Sequence, residues 1–350
     1  MKKIEVGILG ATGMVGQRFV SLLNNHPWFE MVWLGASDKS TGKTYAEACN
    51  WRLRTPMPEN AQGMMVNECR PGSAPHLVFA SLDSKVAGEV EKEFAQAGHV
   101  VVSNSSNHRM EADVPLLIPE VNPEHLALTR TQQRQRHWKG MIVTNPNCTT
   151  VGLVMSLAPL EAAFGIDRVL MTSMQAVSGA GYPGVPTLDI IGNVIPYISG
   201  EEEKVECETQ KLLGKLVDGR VEPAQFPVSA HCNRVLVEDG HTESISVSLQ
   251  TEATVENLIA TWRQYRPIPQ EKHLPSAPLH PIVVREEKDR PQARLDVDTE
   301  GGMATVIGRV RPCPVLQFKY TALSHNTIRG AAGAALLNAE LMKTEGYLEY

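Results

Sequence analysis

The segment Gly10-Ala11-Thr12-Gly13-Met14-Val15-Gly16 joins a strand-like apolar run at 4–10 to a helical pattern at 14–23. Val15, Phe19, Leu22 and Leu23 share one face of that helix. Glycines at this spacing let a backbone approach a pyrophosphate closely, and the helix N-terminus attracts its charge. Glycine triplets are weak evidence in isolation. Between the first strand and the first helix they point to a dinucleotide site. A second strand at 31–36 completes strand–helix–strand, the unit of a parallel α/β sheet. The alternation continues with a strand at 76–80, a helix at 84–97 and strands at 99–103 and 141–144.

The texture changes near residue 165. Longer strand-like runs appear at 168–177, 242–250, 304–310 and 315–322. Ser244-Ile245-Ser246-Val247-Ser248-Leu249 alternates with period two, so one face is buried. These runs predict a mostly antiparallel sheet backed by helices at 204–213 and 255–265. An alanine-rich helix is expected over 326–343. The proline-rich stretch 267–293 reads as irregular surface chain. With 350 residues the chain has room for two domains. The expected class is α/β: a Rossmann-type parallel sheet followed by an α+β domain.

A net charge of −6 argues against a nucleic-acid partner, and the basic run 130–139 reads as a solvated face. No apolar run reaches the roughly 20 residues of a membrane span. A strand pattern begins within three residues of Met1, which leaves no room for a signal peptide. Six cysteines, at 49, 69, 148, 207, 232 and 313, form no Cys-x-x-Cys pair, so reduced thiols in the cytoplasm are expected. Eleven histidines without His-x-x-x-His spacing give no metal site.

Chemistry concentrates at Asn145-Pro146-Asn147-Cys148-Thr149-Thr150, a turn between the strand at 141–144 and a helix expected over 149–163. That placement puts the Cys148 sulfur at a helix N-terminus, where free N–H groups and the helix dipole favour thiolate. A thiolate is a strong nucleophile toward acyl carbons. Arg234 and His241 flank Glu238-Asp239-Gly240, which reads as a hairpin turn that would set arginine and imidazole side by side. Arginine offers a fork for a carboxylate and histidine an acid or base near neutrality. The run Glu201-Glu202-Glu203-Lys204 opens a helix, and Ser105-Ser106-Asn107-His108-Arg109 follows a strand end where α/β sheets bind ligands. Just past the end of the second strand stands Ser37, with Lys39 and Lys43 close by. A hydroxyl flanked by lysines suits a 2′-phosphate better than a carboxylate does, so NADP is favoured over NAD; Asp38 is the counterargument.

Together these segments, with Gln175-Ala176-Val177-Ser178-Gly179-Ala180-Gly181, Gly240-His241-Thr242-Glu243 and Ser324-His325-Asn326-Thr327-Ile328-Arg329-Gly330, resemble the aspartate-β-semialdehyde dehydrogenase family over essentially the whole chain. The Ser-Asn-His-Arg form resembles the archaeal and fungal branch. The resemblance implies reversible, NADP-dependent reductive dephosphorylation of L-4-aspartyl phosphate to L-aspartate 4-semialdehyde and phosphate, through a cysteine thioester, in lysine, threonine and methionine biosynthesis. It implies Cys148 as nucleophile, His241 as acid/base and Gln175 as orienter of the acyl group. Arg234 would clamp the substrate carboxylate and Glu201 its amine. Arg109, Lys204 and Asn147 would hold phosphate, with Ser178 and Gly179 bordering the substrate. Gly10, Thr12, Gly13, Met14, Val15, Gly16, Ser37, Lys39, Ser40, Asn326 and Gly330 would meet the cofactor. The implied division is a cofactor domain at 1–147, completed by a C-terminal helix at 327–350, and a catalytic and dimerisation domain at 148–326. A homodimer or homotetramer is implied. The rival readings are a malonyl-CoA reductase on the same scaffold and a non-catalytic nucleotide-binding protein.

Overall fold

In the computed structural model, which describes residues 2–348, the first half of the chain builds one parallel sheet. Its strands are β1 (Ile4–Leu9), β2 (Phe29–Ala36), β3 (Val66–Glu68), β4 (Leu77–Ala80), β5 (Val100–Ser103) and β6 (Met141–Thr144). They lie in the order β3-β2-β1-β4-β5-β6, with every ladder parallel. Helices α1 (Met14–Leu23), α2 (Ser84–Gln96) and α3 (Leu128–Arg136) belong to the crossovers. β4, β5 and β6 are buried along their whole length because the sheet is covered on both faces, which is why they read as unbroken apolar runs. The chain reverses direction of travel across the sheet between β1 and β4. That switch point opens a crevice at the strands' carboxyl ends, where the glycine loop lies.

Two of the loop's glycines are dictated by space. Gly10 has φ +79°, and a Cβ there would lie 2.5 Å from the carbonyl oxygen of Ser81, beyond β4. A Cβ on Gly16 would lie 2.2 Å from the Gly10 carbonyl oxygen. The first turn of α1 therefore packs directly on the loop. Gly13 has room, with its nearest contact at 3.5 Å, and is the N-cap of α1.

The second sheet contains β7 (Ile166–Gln175), β10 (Val228–Arg234), β11 (His241–Leu249), β12 (Ile282–Val284), β13 (Thr305–Pro312) and β14 (Phe318–Ser324) in the order β10-β7-β11-β14-β13-β12. A two-stranded ribbon, β8 (Lys215–Val217) with β9 (Arg220–Glu222), stands apart. The inner face of the sheet packs on α4 (Cys148–Phe164), α5 (Glu201–Leu212) and α6 (Val255–Gln264). On the outer face Leu170 is 46% exposed, and Thr172, Ser229, His231, Ser246, Lys319 and Thr321 help line a shallow groove. Alternation along β7 and β11 follows from this one-sided burial.

Two expectations are corrected here and one is met. Arg234 and His241 are not on the arms of one hairpin: β7 lies between β10 and β11, parallel to the first and antiparallel to the second. The sheet is mostly antiparallel, as expected, with three antiparallel ladders and two parallel ones, β10–β7 and β12–β13. The stretch 267–293 supplies the edge strand β12 and a helical turn at Ile268–Glu271, because Ile282, Val283 and Val284 pair with β13 despite the flanking prolines.

The last helix, α7 (Gly333–Thr344), follows a π-turn at Ile328–Ala332, so the regular helix starts later than its alanine content predicts. Residues 333–342 are all buried. Leu336, Leu337 and Leu341 join the core formed by Val6, Ile8, Phe19 and Phe79. Its polar residues are partnered: Glu340 accepts from His26 Nε2 at 2.9 Å and from Ser276 Oγ at 2.6 Å. Met1, Glu349 and Tyr350, included in the implied division, lie outside the described residues.

Gly16→Ala forces a Cβ into a backbone oxygen and is expected to destabilise the fold by about 1–3 kcal/mol. Gly13→Ala stays within about 1 kcal/mol of wild type, because only a capping preference is lost. Denaturant midpoints of the two variants check the contrast; equal midpoints contradict it.

Candidate active site

Asn147 starts α4 and fixes the residue after it. Its Oδ1 accepts from the N–H groups of Thr149 (2.8 Å) and Thr150 (3.3 Å), capping the helix. Its Nδ2 donates to Glu201 Oε1 at 2.8 Å, and its own N–H donates to Glu208 Oε2 at 2.6 Å. Cys148 is then the first helical residue, half-buried, with its sulfur 3.2 Å from His241 Nε2. Gly330 packs behind it: a Cβ there would lie 2.7 Å from the Cys148 Cβ.

The other ring nitrogen of His241 accepts from the Ala176 N–H at 3.1 Å. In the neutral ring the proton is therefore on Nε2, facing sulfur. Burial, with Arg234 and His325 nearby, pushes this imidazole down to about 3. The resting histidine is a neutral hydrogen-bond donor.

The expected preference for thiolate is opposed by burial. Burial pushes the Cys148 thiol up to about 12, and the Glu201 carboxylate adds to the rise; Arg109, Arg234 and the Thr149 N–H oppose it without winning. A helix N-terminus favours an anion, but here desolvation is the larger effect.

Arg234 meets this pair from the end of β10. Its Nη1 donates to the Ala176 carbonyl at 2.8 Å. A Cβ on Gly179 would lie 2.9 Å from that Nη1 and 3.2 Å from His241 Cε1, so arginine and imidazole converge over one glycine. They reach each other across β7, whose last residue, Gln175, pairs with Arg234. Gln175 is buried and its amide donates to Ser173 Oγ at 3.2 Å. Ser178 Oγ accepts from Asn326 Nδ2, and Asn326 Oδ1 accepts from the Gly240 N–H, both at 2.8 Å. These bonds tie the Gly179 turn, the loop before His241 and the segment before α7 together. Arg18 of α1 adds a bridge from the cofactor side, donating to Thr327 Oγ1 and Asp239 Oδ2 at 3.1 Å each.

Of the acidic run, Glu201 is buried beside Asn147. Glu202 is spent on the Cys232 N–H at 2.9 Å, and Glu203 is exposed. Lys204 is 36% exposed, with its Nζ 3.9 Å from Glu201. Arg109 is buried, donating from Nη1 to Glu208 at 3.0 Å and from Nη2 to the Asn104 carbonyl at 2.7 Å; its Nε has no partner. Ser37 and Lys39 are exposed at the end of β2 and Ser40 is buried, all at the glycine-loop end of the first sheet rather than beside the thiol. The first-turn N–H groups of α1 have no side-chain cap at Gly13, which leaves Met14 and Val15 donors for an anion.

Two residues were missed in sequence. Glu208 binds both Asn147 and Arg109. Lys211 donates to the carbonyls of Arg109 (2.7 Å), Glu111 (2.8 Å) and Val114 (2.9 Å), and burial pulls its ammonium down to about 8. Glu201, Lys204, Glu208 and Lys211 fall on one helical face, a readable spacing, but a charged face reads as solvated.

A glycine-loop nucleotide domain set against a cysteine–histidine pair is the layout of a dehydrogenase. Comparison with known proteins agrees. Residues 5–129 match the family model "Semialdehyde dehydrogenase, NAD binding domain", and residues 157–329 match "Semialdehyde dehydrogenase, dimerisation domain". The aspartate-semialdehyde dehydrogenase of Methanothermobacter thermautotrophicus is 50% identical over 97% of this chain and 99% of its own length. That of Saccharomyces cerevisiae is 46% identical over 97% and 98%. Among solved structures, aspartate semialdehyde dehydrogenase with NADP from Candida albicans superimposes with a TM-score of 0.92 at 44% identity, covering 99% of this chain and 100% of that one. Aspartate semialdehyde dehydrogenase II complexed with ASA from Vibrio cholerae gives 0.80 at 26% identity, covering 99% of each. The chain belongs to the aspartate-semialdehyde dehydrogenase family.

With the thiol near 12, alkylation of Cys148 by iodoacetamide, followed by peptide mass spectrometry, should rise about tenfold per pH unit from 7 to 10. A plateau below pH 8.5 contradicts a neutral resting thiol.

Proposed function

We propose that the chain catalyses the NADP-dependent interconversion of L-4-aspartyl phosphate with L-aspartate 4-semialdehyde and phosphate, in the biosynthesis of lysine, threonine and methionine. The observation that carries this reading is the convergence of Cys148, His241 and Arg234 at Gly179, with Glu201 held beside Asn147. A cation and an anion on either side of a nucleophile suit a substrate bearing both a carboxylate and an amine. Malonyl-CoA has no amine to meet Glu201, and a non-catalytic nucleotide binder has no use for a thiol 3.2 Å from an imidazole.

Arg234 binds the α-carboxylate through its fork, and Glu201 receives the α-amine; Glu202 and Glu203 are otherwise engaged or exposed. Arg109, through its unpartnered Nε, holds phosphate together with Lys204 and the Asn147 segment. Ser178 and Gly179 border the substrate, and Gln175 orients the acyl group from the end of β7. Gly10, Thr12, Gly13, Met14, Val15 and Gly16 hold the cofactor pyrophosphate, while Ser37, Lys39 and Ser40 favour a 2′-phosphate, hence NADP. Asn326 and Gly330 close that site from the C-terminal side, at the Cys148 end. When bound, NADPH supplies the hydride.

As sulfur attacks, the Cys148 proton passes to the phosphate that leaves, Arg109 and Arg234 offsetting the negative charge. Sulfur attacks the acyl carbon and phosphate leaves, which forms a thioester. The His241 Nε2–H supports the thiolate and then the oxygen that becomes negative when the thioester is reduced. The resulting thiohemiacetal collapses to semialdehyde and a thiolate held by the same donor, and the sulfur takes a proton back from water.

The division into a cofactor domain at 1–147 with 327–350 and a catalytic domain at 148–326 is part of this proposal. A homodimer or homotetramer assembled through the open face of the second sheet is supported by exposed Leu170 and by the apolar surface of Leu188, Ile191 and Tyr197. None of the helices among the described residues is long and apolar enough to cross a membrane. All six cysteines are free thiols, which supports the cytoplasm.

The test is phosphate-dependent reduction of NADP with L-aspartate 4-semialdehyde. Turnover should require phosphate, show a higher kcat/KM with NADP than with NAD, and disappear in Cys148→Ala. Turnover without phosphate, or near-wild-type rates in that variant, would falsify the reading. His241→Asn, which removes the donor to sulfur and to the developing oxyanion, should slow turnover by about 10²–10³-fold.

A further inference from the structure

We propose that Glu208 is a built-in competitor of phosphate at Arg109, and that the same carboxylate sets the nucleophile's helix against that arginine. The inference rests on the assignment of Arg109 to phosphate. Glu208 is 1% exposed, and both of its oxygens are used: Oε1 accepts from Arg109 Nη1 at 3.0 Å and Oε2 from the Asn147 N–H at 2.6 Å. It stands seven residues from Glu201 on the same face of α5. It thereby joins three segments: the loop after β5, the start of α4 and α5 itself.

A phosphate reaching the free Nε of Arg109 meets a guanidinium already sharing its charge with a buried carboxylate. Two anions on one arginine repel, and burial leaves that repulsion weakly screened. Glu208 thus weakens phosphate binding and speeds phosphate departure.

Removing the charge has two opposed effects at Arg109. The full positive charge becomes available to phosphate, which tightens binding. One tether is lost, which loosens it. The Asn104 carbonyl still holds Nη2, and Lys211 still clamps the Arg109, Glu111 and Val114 carbonyls, so the loop stays in place and the charge effect prevails. At Asn147 the loss has one sign only. Glutamine offers one acceptor oxygen to two donors, Arg109 Nη1 and the Asn147 N–H, so the hold on Asn147 weakens, Cys148 sits in poorer register and turnover falls.

The experiment is steady-state kinetics at one fixed pH with inorganic phosphate varied, on wild type, Glu208→Gln, Glu208→Asp, Arg109→Leu and the Glu208→Gln/Arg109→Leu pair. Circular dichroism at the assay temperature establishes folding. Glu208→Gln should lower the KM for phosphate about tenfold, the scale of one unit charge acting through an effective dielectric of about 20. It should also lower kcat on the order of tenfold. The KM values for semialdehyde and NADP should stay within about twofold, since this carboxylate contacts neither Arg234 nor the glycine loop. Glu208→Asp keeps the charge but draws it back, so its phosphate KM should stay within about twofold while kcat falls. This variant carries the test if Glu208→Gln does not fold. In the Arg109→Leu background, Glu208→Gln should no longer change the phosphate KM.

A general fall in kcat does not depend on the arginine, so loss of the phosphate KM effect in the Arg109→Leu background separates charge competition from damage. An unchanged or raised phosphate KM in Glu208→Gln, with a raised one in Arg109→Leu, overturns the role of Glu208 alone. So does a drop in Glu208→Asp as large as that in Glu208→Gln. A phosphate KM unaffected by Arg109→Leu overturns the Arg109 assignment and this inference with it.

Discussion

Asn147 uses every polar group it has to define the start of one helix. Its side-chain oxygen caps α4, its amide nitrogen reaches Glu201, and its backbone N–H reaches Glu208. The proposed nucleophile is the next residue, so the direction of the Cys148 sulfur follows from these bonds. They are short and shielded from water, where hydrogen bonds to charged groups are worth most. His241 and Arg234 are then brought to the sulfur by a different element, the end of the second sheet. The site exists because a helix N-terminus and a sheet edge meet at a depth where neither is free to drift.

Burial at that meeting point inverts the simplest electrostatic expectation. The α4 dipole, two arginines and a backbone N–H all favour sulfur anion, yet desolvation keeps the thiol protonated and the imidazole neutral. A buried neutral pair avoids holding separated charges in the resting site. In the proposed reaction the charged form arises only when substrate supplies compensating groups. The Ala176 N–H takes part by occupying Nδ1, which leaves the ring's single proton aimed at the reacting atoms.

The two halves of the chain are joined by polar contacts as well as by packing. Arg18 links α1 to Asp239 and Thr327, and the Gly240 N–H is held by Asn326, which also holds Ser178. The cofactor helix, the loop before His241 and the approach to α7 therefore share one hydrogen-bonded set. α7 belongs spatially to the first sheet although it is last in sequence, and its ten consecutive buried residues explain why it is apolar on every side.

Period, glycine placement and local turn chemistry were legible in the chain itself. α1 follows from residues 14–23, the parallel strands from unbroken apolar runs, and the α4 start from Asn147-Cys148, because each depends on neighbours within a few residues. The resemblance carried the site residues, and Cys148, His241 and Arg234 do lie together. What tertiary structure alone decided was long-range. β7 inserts between β10 and β11, so Arg234 and His241 meet across a strand and not around a turn. Glu208 and Lys211 leave a face that reads as solvated and become buried tethers. The Cys148 proton stays on sulfur because desolvation depends on everything packed around a residue, which spacing along a chain does not encode.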